Sequence, residues 1–465
     1  MLTPKPYFLA VMNKIKIHGL LVLLVTSDQV LADREILDYL VGSITISEKS
    51  QITYIDIEDL LEDRYFEEAI NLAQNIIDDN SSLVVAEPII YGKLLGNLAV
   101  VLNYAGQYED SLSVFTSALK FMEPALPQFS PELINVILAK ASTLITMEKL
   151  DEAKQQLRRA QHITHRDDGV YTVSQLPIVE KLFEISSRTG DYLNSDKQKY
   201  FTLQVLKKTY GAESTELLPT LISLGRYYAD RGASSGQFGD GQLSHLRLSL
   251  FGQSISLYEE AIEIIENNYG VSDSRLIEPL EGIARTRYVQ RVNKKSEEAA
   301  ERVLRIIENN PATDTQDRVN AIIRLGDLYT LTSDSRASEL YLRAWKLIQE
   351  SEEYKEQRAN IFARPLRLWP RAQRMIYLDK RPTTANDSDE ELFIEVEYAV
   401  KPNGRVSNIR LLTKNVPNNE VRRLRTHLYE TRFRPEIIKG KIVETSKLVF
   451  KQRFLVANSA NPRTD

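Results

Sequence analysis

The residue types that most readily do chemistry are sparse in this chain. Five histidines occur in 465 residues, and cysteine is absent. His162 and His165 stand three apart near a helix end, beside Asp167 and Asp168. That spacing puts two imidazoles on one helix face and could begin a metal site. No other ligand-spaced motif joins them, and a solvated helix end accounts for the same residues. His18 lies in an apolar leader, while His245 and His427 read as surface residues. The chain has no Gly-Lys-Ser/Thr phosphate loop, no paired-histidine zinc motif and no G-x-S-x-G elbow. Without cysteine there is no disulfide, thiolate metal site, cysteine nucleophile or lipid-bearing cleavage site. These residues describe a non-enzyme with no metal and no cofactor.

What remains is suited to binding. Arg422, Arg423 and Arg425 cluster on a helix expected from about Asn418 to Tyr429, a charge pattern that an anionic surface could meet. No aromatic stacking set accompanies them, so nucleic acid is not the expected partner. Asn97, Asn103 and Tyr104 fall on the most regular helical stretch of the chain. There they can face a binding groove, solvent or the next helical pair.

Two kinds of element must position these groups. Residues 96–119, GNLAVVLNYAGQYEDSLSVFTSAL, place small side chains at Ala99, Gly106, Ser111 and Ala118 and bulky ones at Leu98, Leu102, Tyr108 and Phe115. Two antiparallel helices in close contact need that alternation, with a glycine at the turn. The stretch resembles one tetratricopeptide (TPR) repeat. Related units follow the second helix opening at Asp63–Ala69, at about 88–122, 131–163 and 172–209, then after Tyr210-Gly211 and Tyr269-Gly270, and last at 313–350. Several run longer than the usual repeat, and the Tyr-Gly openings resemble the variety found in kinesin light chains. A unit of this kind cannot bury its apolar face alone, so the expectation is an all-α superhelix, or α-solenoid, over 33–350. Such arrays commonly hold peptides. A glycine-rich insertion, Gly232–Gly241, interrupts one unit and reads as a flexible loop.

At Glu391 the apolar period changes from helical to two. Leu392, Ile394, Val396, Tyr398 and Val400 alternate with more polar neighbours, as a half-buried strand requires. Pro402-Asn403-Gly404 turns the chain into a second strand, Arg405–Leu412. The basic helix follows, then Arg432-Phe433-Arg434-Pro435, Gly440 and a long strand from about Val443 to Val456. This order, with Val400–Val406 and the R-F-x-P motif, resembles the carboxy-terminal domain of TonB-type energy transducers. Trp369-Pro370-Arg371-Ala372 resembles the segment that usually precedes the first strand, here separated by a polar stretch, Arg381–Glu390. The resemblance implies a small α+β domain over 391–457 that captures an extended segment of an outer-membrane receptor at a sheet edge; a docking or dimerisation module is the other reading. The long proline-rich spacer of such transducers is missing. Residues 351–390 read as a linker and 458–465 as a disordered tail.

Charge divides along these lines. Residues 391–457 hold 14 Lys/Arg against 7 Asp/Glu, whereas 33–390 hold 41 against 55. Lys14 and Lys16 precede an apolar run, Gly19–Val25, and Val30-Leu31-Ala32 offers small-residue cleavage before Asp33. The run is short for a membrane span, and Asp28 ends it. Residues 1–32 therefore read as a cleaved export signal, leaving no membrane span; a retained anchor or a buried helix is the alternative. The whole describes an exported periplasmic scaffold with protein or peptide partners in the cell envelope, an outer-membrane receptor among the candidates. The alternative is an atypical TonB-type transducer with a retained anchor. Oligomeric state is not legible.

Overall fold

The computed structural model describes residues 36–47, 50–234, 241–350, 360–368, 376–378 and 391–456. The leader with its Asp33 junction, most of the glycine insertion, Trp369–Ala372, the Arg381–Glu390 stretch and the 458–465 tail lie outside the described residues. Two compact units form, Met1–Glu216 and Leu217–Asp465.

The described part of the first unit opens with a single 3-10 turn, Ile36–Tyr39, and a short antiparallel hairpin, β1 (Ser43–Ser47) and β2 (Ser50–Thr53). Four helical hairpins follow: α1 (Ile55–Glu62) with α2 (Phe66–Asp79), α3 (Pro88–Tyr104) with α4 (Tyr108–Met122), α5 (Ile134–Thr146) with α6 (Leu150–Asp167), and α7 (Leu176–Arg188) with α8 (Tyr192–Tyr210). The turn between α3 and α4 holds Gly106 at φ +80°, a left-handed conformation that glycine adopts without steric cost. Ala99, Phe115 and Ala118 are fully buried where these helices meet. Ser111 is buried there too, and its hydroxyl donates to the Ala99 carbonyl at 2.7 Å. A small polar residue thus permits close approach while leaving no buried hydroxyl unpaired.

The second unit carries three more hairpins: α9 (Leu218–Ser234) with α10 (Gly241–Tyr269), α11 (Ile277–Val289) with α12 (Asn293–Asn309), and α13 (Thr315–Thr332) with α14 (Ala337–Glu350). The serine device recurs. Ser254 donates to Gly225 O at 2.7 Å, and Ser296 to Ala284 O at 2.6 Å. The Tyr258 ring occupies the notch left by Gly225 on α9 and Gly282 on α11; a Cβ at either would fall 2.7 or 2.3 Å from it.

The remaining strands are β3 (Leu366–Arg367), β4 (Ile376–Leu378), β5 (Leu392–Val400), β6 (Val406–Lys414), β7 (Phe433–Arg434), β8 (Glu436–Ile438), β9 (Lys441–Val443) and β10 (Thr445–Val456), with helix α15 (Asn418–Glu430) between β6 and β7. Four of them make one sheet in the order β4-β10-β5-β6. Leu392, Ile394, Val396, Tyr398 and Val400 point to its buried face, as their alternation requires, and share a core with Val421, Leu424 and Leu428 of α15. This sheet and the last hairpins belong to one compact unit. The change of period at Glu391 marks a change of element type.

Candidate functional site

Three regions carry groups suited to recognition. In the first unit, the chain's own residues 36–41 lie across the first helices of successive hairpins, α3, α5 and α7. Val41 donates its N–H to Asn97 Oδ1 at 2.9 Å, and its carbonyl accepts from Asn97 Nδ2 at 2.9 Å. Asn135 Nδ2 donates to the Tyr39 carbonyl at 2.8 Å, and the Lys181 ammonium stands 5.7 Å from the Tyr39 ring centroid. Asn97, Ala139 and Lys181 hold the same place relative to the left-handed turn residues Gly106, Glu148 and Gly190. They form one row across the three helices. Ile36 anchors the segment, 2% exposed within the core of this unit; burying such a side chain contributes about 2 kcal/mol. A cavity of about 40 Å³ remains where Tyr39 and Val41 lie over Gly96, Val100 and Ala139.

Asn97, Asn103 and Tyr104, for which the sequence leaves groove, solvent and the next helical pair all open, have three different settings. Asn97 faces the row, but both ends of its amide hold Val41. Asn103 is interior, donating from Nδ2 to Thr143 Oγ1 on α5 at 2.8 Å. Tyr104 is half-buried, edge-on to Phe66 with centroids 6.2 Å apart. Both asparagines are buried by partners distant in sequence, so the local pattern could not say what either one meets. Asn135 and the segment it holds were missed. The only sequence signal was an asparagine on each of two neighbouring first helices.

In the second unit, the R-F-x-P segment meets α13 and α14. Arg434 grips Asp327 with both ends of its guanidinium, Nε to Oδ1 at 2.9 Å and Nη2 to Oδ2 at 2.6 Å. The two side chains are only 11% and 20% exposed. The Tyr341 hydroxyl donates to Asp327 Oδ1 at 2.8 Å. Burial, reinforced by the Asp327 charge, holds its phenol far above the usual tyrosine range. Phe362 lies edge-on to Tyr341, and its carbonyl accepts the Ile437 N–H at 3.0 Å. Gly404 closes the contact at φ +74°, where a Cβ would stand 2.2 Å from the Phe433 carbonyl oxygen and 2.7 Å from Thr330 Cγ2. Asp327 looked like one of many helix-surface carboxylates in the sequence.

The third region is the sheet and its basic helix. Arg422, Arg423 and Arg425 are all exposed on α15, with Arg423 reaching Glu420 at 3.1 Å. His427 departs from its surface reading: it is half-buried, with Nε2 2.7 Å from Arg367 Nη2. A guanidinium can only donate, so a neutral ring accepting at Nε2 fits this contact. Strand β10 pairs with β5 from Thr445 to Phe454, but with β4 only from Phe454 to Val456. Among the described residues, no strand pairs with the β4 side of β10 over 445–453.

Among the described residues, His162, His165 and His245 join no cluster of ligating groups. His162 lies against Phe129. Burial, then the neighbouring His162, holds His165 below its ordinary pKa. Asp168 instead accepts from Ser174 Oγ at 2.6 Å. His245 is exposed. No group of three or more His, Cys, Asp and Glu converges on a metal position among the described residues. No described helix is long and apolar enough to cross a membrane.

No family model and no curated protein matches the chain. Among solved structures it is similar to kinesin-light-chain, nearly identical TPR-like repeats of Podosopora anserina, at 15% identity and a TM-score of 0.34, over 46% of this chain and 92% of that one. It is also similar to BtubC from P. vanneervenii, at 15% identity and 0.24, over 70% and 98%. The C-terminal part of a TPR repeat-containing protein from Cytophaga hutchinsonii follows at 14% and 0.27, over 56% and 97%. Scores this low leave the fold to rest on the helical hairpins themselves.

Proposed function

We propose that this chain is a non-enzymatic, periplasmic protein-interaction scaffold, in which TPR-like hairpins carry a small TonB-like module that takes up an extended segment of a partner protein. The observation that carries this reading is that, among the described residues, no strand pairs with the β4 side of β10 over 445–453. An edge strand offers backbone N–H and C=O groups that an incoming strand can complete. Val449, 55% exposed within that length, would lie beside the added strand. The basic face of α15 would favour an acidic or otherwise anionic partner surface. The leader supports export, and a mature amino terminus at Asp33 is the expected result of sequencing the protein from the cell. Intact residues 1–32 on the mature protein would contradict it.

A photo-crosslinking residue at Val449 of the full chain tests the main proposal. A protein adduct formed there, and absent from the same residue placed at the exposed Val85, supports strand addition. No adduct at Val449, or identical adducts at both positions, overturns it.

A further inference from the structure

We propose that residues 36–41 are an internal ligand, occupying a backbone-reading site on α3, α5 and α7 that also accepts a partner segment with the same apolar-apolar-x-Tyr-apolar-apolar pattern. This proposal rests on the reading of the helical array as a protein-binding surface. It is independent of the β10 edge, so the two can fail separately.

Three observations carry it. First, Asn97 and Asn135 recognise main-chain groups of Tyr39 and Val41. Those contacts are indifferent to which side chain the bound residue carries, so they serve any segment that presents its backbone in this form. Second, selectivity comes from separate places: a deep apolar seat filled by Ile36 and an aromatic position at Tyr39 beneath the Lys181 ammonium. Third, the internal ligand fits incompletely. The cavity of about 40 Å³ beside Tyr39 and Val41 is large enough for a water or an added methyl group. A partner segment that fills it would gain contacts that residues 36–41 do not make. Occupancy by the chain's own segment then sets a threshold: a partner binds only to the fraction of molecules whose row is open.

The probe is a fluorescein-labelled peptide of sequence Ile-Leu-Asp-Tyr-Leu-Val-Gly, matching residues 36–42. It is titrated into the full chain and into the variant Ile36→Glu/Tyr39→Ala, which releases the internal segment. The released variant should bind at least about tenfold more tightly than the unaltered chain, and adding Asn97→Ala and Asn135→Ala should abolish the gain. A released variant that keeps its helical signal and binds no more tightly would overturn the proposal. So would a gain that survives loss of both asparagines. Should Ile36→Glu disrupt the first hairpins, the unaltered chain provides a second readout. Excess unlabelled peptide should speed hydrogen exchange at the Val41 amide; an unchanged rate at peptide saturation would contradict the proposal.

Discussion

Two segments rest against helical hairpins in this protein, and they are held by opposite means. Residues 36–41 are held by asparagine amides that read main chain and by aliphatic anchors. The Phe433–Ile437 segment is held by a bidentate, largely buried ion pair, a phenol and a glycine that tolerates no side chain. A backbone-reading contact leaves the bound sequence replaceable. A buried charge pair fixes both partners, because losing either strands the other in a poor solvent. The first arrangement suits exchange, and the second suits permanence. Similar helical hairpins therefore supply a recognition surface in one unit and a rigid mount in the other.

The largest expected effect breaks the mount. Asp327→Ala leaves the Arg434 guanidinium buried without its carboxylate and should cost about 3–5 kcal/mol of stability, read by urea denaturation. Asp327→Ala combined with Arg434→Met should recover part of that loss. Full additivity of the two changes would show that the pair is not coupled.

Alkaline titration probes both units through buried phenols. Burial pushes Tyr54 of the first unit up to about 12, and Tyr341 is raised further by burial and Asp327. Unfolded tyrosine ionises near pH 10. The folded forms keep their protons above that point, so stability is complete below about pH 10 and falls as pH rises toward 12. Tyr54 alone should account for about 2–3 kcal/mol of that fall. Tyr54→Phe should flatten the decline over this window, and an unaltered slope would contradict the assignment.

Asn97→Ala should cost about 2 kcal/mol by leaving the Val41 peptide unpaired, measured as the chemical-denaturation midpoint of the first unit. It should leave the second unit's transition unchanged. The smallest effect falls on the exposed helix face. Reversing Arg422, Arg423 and Arg425 to Glu should move stability by no more than about 0.5 kcal/mol for each change. It should weaken capture of an anionic partner, with the difference fading as salt rises. Equal partner affinity at low salt would remove the basic face from the account.

Much of this architecture was legible because it is periodic. Ala99, Ser111 and Ala118 mark a helix crossing by size alone, and the alternation from Leu392 to Val400 marks a buried strand. The α15 arginines stood out in the sequence as a charge cluster, and they are exposed because Val421, Leu424 and Leu428 claim the opposite face. Contacts between distant residues were not legible. Nothing local to Asp327 sets it apart from other helix carboxylates until Arg434 arrives beside it. Asn97 lies on a patterned helix, but its partner is a loosely patterned segment far earlier in the chain. His427 likewise needed Arg367 to be recognised as more than a surface residue.

Native-state hydrogen exchange on the full chain tests most directly the claim that one segment is exchangeable and the other fixed. The amide of Val41 should open well before those of α3 beneath it, by roughly a hundredfold in rate, whereas the amide of Ile437 should open together with those of α13. Val41 exchanging in step with α3 would show that residues 36–41 are a permanent part of the core and would contradict the account.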